Sequence, residues 1–428
     1  MSTVVQAIVA FDLTGKNSAV GIVLLGNGIS SAILGPFGGA IAGRLSKKLV
    51  AAIGQTVTFA VFLVIRLLIA ADRIELWHLV VGSFFTGASF AFIGPARQVW
   101  IAELFDQDLR GNSIALNASR IWAPVLGGFM VSWASFGAGG TYFVMAVLYV
   151  ISQVTLIWVP SVRPIHKPDR PSVLGDIAAG VRYVAGEPRL RWMLTLFFLL
   201  IVLGLSSTTV LPGLVENEFN RDVEEFSILQ TANAVGCLVA SVLVASIAGS
   251  PRALPIYAAG GIFGGIGLAL TGLVPGFVVS LLPMLLFGIG TGAFQTLNSA
   301  IIVTESDPSY FGRVSSLTFL AFAGFLLVSY PVGLLADAIG ERPALVMLGL
   351  LSVASVILVA PLIARAVLQN SYSYPRSSRP HPSTLTRPVT PRATSDSARR
   401  GVCPLPEAAA CSLRAAVLRD GASDERGA

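Results

Sequence analysis

Residues 190–213 read LRWMLTLFFLLIVLGLSSTTVLPG, a continuous apolar stretch in which Arg191 is the single charge. A helix needs about 20 predominantly apolar residues to cross a ~30 Å hydrocarbon core, so this stretch is long enough to span a membrane. Ten further stretches of the same kind lie at 19–43, 49–71, 77–100, 112–135, 141–160, 226–249, 253–274, 277–302, 314–336 and 343–365. Short polar turns separate them, and one long basic loop at 161–189 divides them into two blocks. The pattern predicts a polytopic membrane protein.

Composition agrees. Hydrophobic residues make up 54% of the 428 and charged residues only 12%, and the mean hydropathy is +0.76. A soluble core of this length cannot hide that much apolar surface. Lipid offers backbone groups no hydrogen-bond partner, so the spans must be helices or a closed barrel. Stretches of twenty-odd residues without strict alternation predict an all-α fold. The net charge of +6 sits in loops and in the C-terminal segment rather than on one domain, which argues against a nucleic-acid partner. Cys237 falls within a span, and Cys403 and Cys411 lie near the C-terminus, so no disulfide framework or metal site is readable. No cofactor is implied.

Lysines and arginines divide unevenly between the two ends of the spans. One face carries Arg44, Lys47, Lys48, Arg110, Arg163, Lys167, Arg170, Arg182, Arg189, Arg191, Arg252 and Arg313. The other has Lys16, Arg73, Arg221 and Arg342, together with the acidic turn Glu216, Glu218, Asp222, Glu224 and Glu225. Basic loop residues favour the cytoplasm, so the basic face and the C-terminus are expected inside and the acidic face outside. Trp77, Trp100, Trp133, Trp158 and Trp192 fall near span ends, where an amphipathic ring suits the interface, while Trp122 lies within a span.

Met1 to Phe11 is apolar but too short to span, and reads as the end of a first helix that is mostly missing. Counting it gives a 6+6 plan. The expected domains are an N-terminal bundle at 1–160, a cytoplasmic linker at 161–189, a C-terminal bundle at 190–365 and a disordered cytoplasmic tail at 366–428, rich in Ser, Pro, Arg and Thr. Within the linker, Val173, Ile177, Val181 and Val184 recur at helical spacing and predict a short amphipathic helix, with a solvated connection as the alternative. Sliding 84–134 onto 286–336 aligns Phe85 with Phe287, Ala91-Phe92 with Ala293-Phe294, Glu103 with Glu305, Ser113 with Ser315 and Ala134 with Ala336. Two related halves are expected.

Polar residues inside the spans are the candidates for function. Thr291, Gln295 and Asn298 fall at i, i+4 and i+7 on one helix face, and Ser113, Asn117 and Arg120 repeat that spacing in the first block. Gln230 with Asn233, the hydroxyls from Ser206 to Thr209, and Asn27 in the second segment complete the set. Such stripes either line a cavity for a small-molecule substrate or hydrogen-bond between helices. Arg97 and Glu103 form a possible gate pair, with a snorkelling arginine as the alternative. Asp12, Glu103, Glu305 and Asp337 all lie near span ends, so no midplane proton carrier is visible. The Gly260-Gly261 and Gly264-Gly265 run sits inside a span and reads as helix packing, not a phosphate cradle. Without a Walker lysine or an enzyme constellation, secondary transport is favoured over a primary pump, and the chain is not expected to be an enzyme.

The tight basic link Gly39-Ala40-Ile41-Ala42-Gly43-Arg44-Leu45-Ser46-Lys47-Lys48 is similar to the loop between helices two and three of the major facilitator superfamily. That family usually places an acidic residue before the arginine, where this chain has Gly43. Phe11-Asp12-Leu13-Thr14-Gly15, Gly94-Pro95-Ala96-Arg97 with Glu103-Leu104, Ala118-Ser119-Arg120 with Pro124 and Gly127-Gly128, Gly180-Val181-Arg182-Tyr183-Val184, Leu211-Pro212 and Gly312-Arg313-Val314 resemble one branch of it. That branch holds macrolide-efflux pumps and enterobactin-type siderophore exporters, and the resemblance runs from about residue 4 to residue 365. It implies a monomeric exporter of an amphipathic small molecule, coupled to protons, with Gly39, Arg44, Lys47, Lys48, Arg97 and Glu103 as a gating loop. The competing expectation is a truncated, transport-incompetent membrane protein with a structural or interaction role.

Overall fold

The computed structural model describes residues 2–42, 46–104, 137–158, 173–247, 250, 252–305 and 311–373. Residues 1–371 form one compact unit. The described residues hold twelve α-helices: α1 (Ser2–Thr14), α2 (Asn17–Ala42), α3 (Lys47–Ala70), α4 (Leu76–Leu104), α5 (Gly137–Trp158), α6 (Val173–Gly186), α7 (Pro188–Gly213), α8 (Phe226–Ala245), α9 (Ala253–Leu273), α10 (Phe277–Glu305), α11 (Phe311–Ile339) and α12 (Glu341–Ser373). Ten of these are long and apolar enough to cross a membrane. The chain is therefore an all-α polytopic membrane protein, and ten of the eleven expected spans are present as helices. The eleventh, 112–135, lies outside the described residues.

The short first segment continues three residues beyond Phe11 as helix, to Thr14. At 1.5 Å per residue, α1 is about 20 Å long and does not span. Every residue from Val5 to Phe11 is nevertheless buried, because α1 packs among α2, α4, α5 and α7. The linker helix also forms, as α6. Its Val184 packs with Leu190 of α7, Ile302 of α10 and Val314 of α11. Val181, on the same apolar face, is 49% exposed and not covered by another helix.

Lipid tails are as apolar as leucine, so packing and small residues, rather than a hydrophobic gain, hold helices together in a bilayer. Helix α4 packs on α2 and α3, and α10 packs on α8 and α9. Both α4 and α10 are 29 residues long, and each packs on the two spanning helices that precede it. Across the halves, α2 lies along α11. Cβ atoms added at Gly21 and Gly28 would come within 2.7 Å of the Ser329 carbonyl and 2.8 Å of the Leu326 Cβ.

The core is uneven from end to end. Toward the acidic face, one buried cluster runs continuously from Phe11, Leu24 and Tyr142 in the first half to Leu211, Phe226, Leu268 and Leu345 in the second. Toward the basic face, a smaller cluster, with Met193, Tyr257, Phe294 and Ile363, draws only on second-half helices among the described residues. Among the described residues, the buried contacts between the first-half and second-half helices are concentrated at the acidic end.

Candidate functional site

Helices α8 and α10 meet backbone to backbone. Gly288 faces the carbonyl of Asn233, Gly292 faces that of Cys237, and Gly236 faces that of Leu285, with no room for a Cβ at any of the three. On its opposite side, α10 presents Gly290 to Gly260 and Gly264 of α9. At 100° per residue, Thr291, Gln295 and Asn298 therefore occupy the flank of α10 between these two contacts. The close approach of the Asn233 main chain to Gly288 puts this part of α8 level with α10 about one turn toward the acidic end from Thr291.

Hydrogen bonding separates the members of this set. Thr291 is satisfied within its own helix, its Oγ1 lying 2.9 Å from the Phe287 carbonyl and 3.0 Å from that of Gly288. Asn298 is 1% exposed, and its Oδ1 has no protein partner. Asn233 Oδ1 is also buried without a partner, and its Nδ2 stands 3.5 Å from Gln230 Oε1, at the limit of a hydrogen bond. Gln295 is half-buried. In α7, Ser206 and Ser207 donate to the carbonyls of Val202 and Gly204, each at 2.6 Å. Thr209 Oγ1 is buried and unpartnered.

An unsatisfied buried polar atom costs about 1–3 kcal/mol. Interhelical hydrogen bonding would have removed that cost at Asn233, Asn298 and Thr209, and it does not. All three oxygens are sealed from solvent in this conformation. Gln6 in α1 belongs with them. It is 1% exposed with an unpartnered Nε2, and its position in a short N-terminal stretch gave no signal of burial.

Asn27 is placed differently. Its Oδ1 accepts from Ser31 Oγ at 3.2 Å, and it sits where Gly87 brings α4 against α2, so a Cβ there would lie 2.7 Å from that oxygen. Asn27 is half-buried at the α2–α4 crossing. Asn117 and Arg120 lie outside the described residues.

The gating-loop residues are only partly placed. Gly39 is in the last turns of α2, Lys47 opens α3, and Arg97 and Glu103 are in the last turns of α4. Arg44 lies outside the described residues. Ser46 caps α3, accepting from Leu49 N at 3.3 Å. Lys48 Nζ donates to the Ile157 carbonyl at 2.8 Å, a favourable contact for a cation at the C-terminal turn of α5. It borders a recess of about 220 Å³ lined by Ala52, Gln153, Val154, Leu156 and Ile157.

A second polar cluster, which the span pattern did not single out, lies at the acidic end. Asp337 of α11 accepts from the backbone N–H of Asn17 at 2.8 Å and of Ser18 at 3.0 Å. Glu341 of α12 accepts from Asn17 Nδ2 at 2.9 Å and from Asn217 Nδ2 at 2.7 Å. Pro212 lacks an N–H, and the chain after it opens into a π-turn, Leu214–Glu218, that carries Asn217. Gly340, at φ +93°, makes the turn between α11 and α12. A signal was present in the sequence: Lys16-Asn17-Ser18 before an apolar run is a helix start, and Gly340 before Glu341 marks a break between spans.

Comparison with known proteins places this architecture. The macrolide efflux protein A of Streptococcus pyogenes is 22% identical over 386 residues, covering 85% of this chain and 92% of that protein. The staphyloferrin A transporter of Staphylococcus aureus is 24% identical over 340 residues, covering 77% and 84%. An enterobactin exporter of Shigella flexneri is 24% identical over 207 residues, about half of each chain. Among solved structures, the nucleoside transporter NupG is similar with a TM-score of 0.66 at 14% identity, covering 84% of this chain and 94% of that one. A POT family transporter bound to 5-aminolevulinic acid gives 0.66 at 13%, covering 85% and 93%. At these identities the solved structures speak for the fold alone. The profile of the Major Facilitator Superfamily matches residues 1–323, most of the chain, and the protein belongs to that family of membrane transporters.

Proposed function

We propose that the protein is a secondary active exporter that moves an amphipathic small molecule, a drug or a siderophore, across the cytoplasmic membrane by alternating access in exchange for protons. The acidic face is outside, the basic face and C-terminus are inside, and the monomer is the working unit. The four-part division into N-terminal bundle, linker, C-terminal bundle and tail belongs to the same reading. The observation that carries it is the pair of buried amide oxygens on α8 and α10, Asn233 Oδ1 and Asn298 Oδ1, which no group among the described residues satisfies. A substrate with both apolar area and a few donors would complete them. The export direction and the compound classes rest on likeness to the macrolide and siderophore exporters. The positive-inside distribution supports the orientation.

A firm junction at the acidic end, with second-half clusters toward the basic face, fits a transporter closed to the outside. Export assays in a host lacking its own pumps test the function, with Asn233→Leu and Asn298→Leu as the informative variants. Loss of export at unchanged membrane level supports the cavity assignment, and unchanged export removes it.

A further inference from the structure

We propose that Asn17, Asp337 and Glu341 form the lock that holds the two halves shut at the acidic end, so that opening to that side requires the N-terminus of α2 to leave its seat in the second half. The inference rests on the transporter reading but is tested without transport.

The first N–H groups of any helix have no partner within it. Here a single carboxylate, Asp337, takes those of Asn17 and Ser18 at 2.8 and 3.0 Å, and its charge suits the positive end of the helix dipole. Asn17 is itself 1% exposed and Glu341 8%. Among the described residues, Glu341 is the one carboxylate counted as buried, and the amides of Asn17 and Asn217 face it from opposite halves of the chain.

Backbone contacts support the seat. A Cβ at Gly333 would come within 2.6 Å of the Asn17 carbonyl. One at Gly213 would come within 2.5 Å of Asn17 Oδ1 and 2.7 Å of Glu341 Oε1. Asn17 is the first-half member, while Gly213, Asn217, Gly333, Asp337 and Glu341 are all second-half, so the cluster has no purpose within one half. It must break when the halves part at this end. By contrast, Arg342 pairs with Glu218 at 2.6 Å and donates to the Val274 carbonyl at 2.6 Å, contacts confined to the second half.

The test uses the full chain in permeabilised membranes, so that both faces see the reagent. Cys237, Cys403 and Cys411 are replaced by Ser, and Ser329→Cys, buried against Gly21 at the α2–α11 contact, reports its rate of modification by a maleimide. Asp337→Ala and Gly213→Ala should each speed labelling by about tenfold, the response to a tenfold larger open fraction. Arg342→Gln, which leaves the interhalf contacts in place, should not. Two variants attack the cluster from different helices, so poor folding of one leaves the other informative. Labelling unchanged by both, at normal membrane level, overturns the lock. Acceleration by Arg342→Gln equal to that by Asp337→Ala also overturns it, as general loosening. If the labelling responds while export assays stay negative, the lock stands and the proposed function falls.

Discussion

Gly288 of α10 lies directly against the main chain of Asn233 in α8, with the Asn233 carbonyl in the space a side chain at 288 would need. This contact is packing and functional placement at once. It lets two helices touch without side chains between them, and it fixes the level of Asn233 relative to Thr291, Gln295 and Asn298.

Gly288→Val should therefore be strongly destabilising. A β-branched side chain forced against backbone cannot be relieved by a rotamer change, and overpacking of this kind costs about 1–3 kcal/mol or more. The unfolding midpoint of the detergent-solubilised protein should fall by several degrees. Gly276→Ala, where an added Cβ meets nothing within 4 Å, should leave it unchanged.

Asn298→Leu and Asn27→Leu should act in opposite ways. Asn298 has an unsatisfied buried oxygen, so removing it relieves a penalty of about 1–3 kcal/mol. Stability should hold or rise while export is lost. Asn27 satisfies Ser31 and fits against Gly87, so its replacement should lower the unfolding midpoint. Thermal unfolding and export measured on the same two variants check both halves of the prediction.

Arg342→Ala should destabilise more than Lys48→Ala. Arg342 holds Glu218 and the Val274 carbonyl and stacks over Phe219 at 5.4 Å. Charge-assisted hydrogen bonds contribute about 1.5–3 kcal/mol, less where partners are partly exposed as here. A lysine at a helix C-terminal turn is worth about 0.3–1 kcal/mol at a surface. Unfolding midpoints of the two variants in one detergent should rank accordingly.

Much of the fold is legible in the sequence because lipid enforces a simple rule. Residues 190–213 and their counterparts have no soluble alternative, and the helix boundaries found lie within a few residues of the apolar runs except at the end of α12, which extends to Ser373. The site is legible only as a set of candidates. Spacing puts Thr291, Gln295 and Asn298 on one face, but it cannot tell which side chain is satisfied. Thr291 turns back to the carbonyls of its own helix, Asn27 finds Ser31, and the Asn298 Oδ1 finds no partner among the described residues. Those outcomes depend on which helix packs alongside, a property of pairs of distant segments. The cluster of Asn17, Asp337 and Glu341 is hidden for the same reason, since Asn17 lies more than 300 residues from both carboxylates in sequence.

The central claim is that the Asn233 and Asn298 surface lies on an export path. The direct measurement is accumulation of fluorescent dyes, a macrolide and a catecholate siderophore in a pump-deficient bacterial host, with and without a protonophore, comparing the natural chain with Asn298→Leu. We predict protonophore-sensitive lowering of at least one compound by the natural chain and its loss in the variant at equal membrane level. Accumulation unchanged for every compound despite confirmed insertion, or export by the variant equal to that of the natural chain, would contradict it.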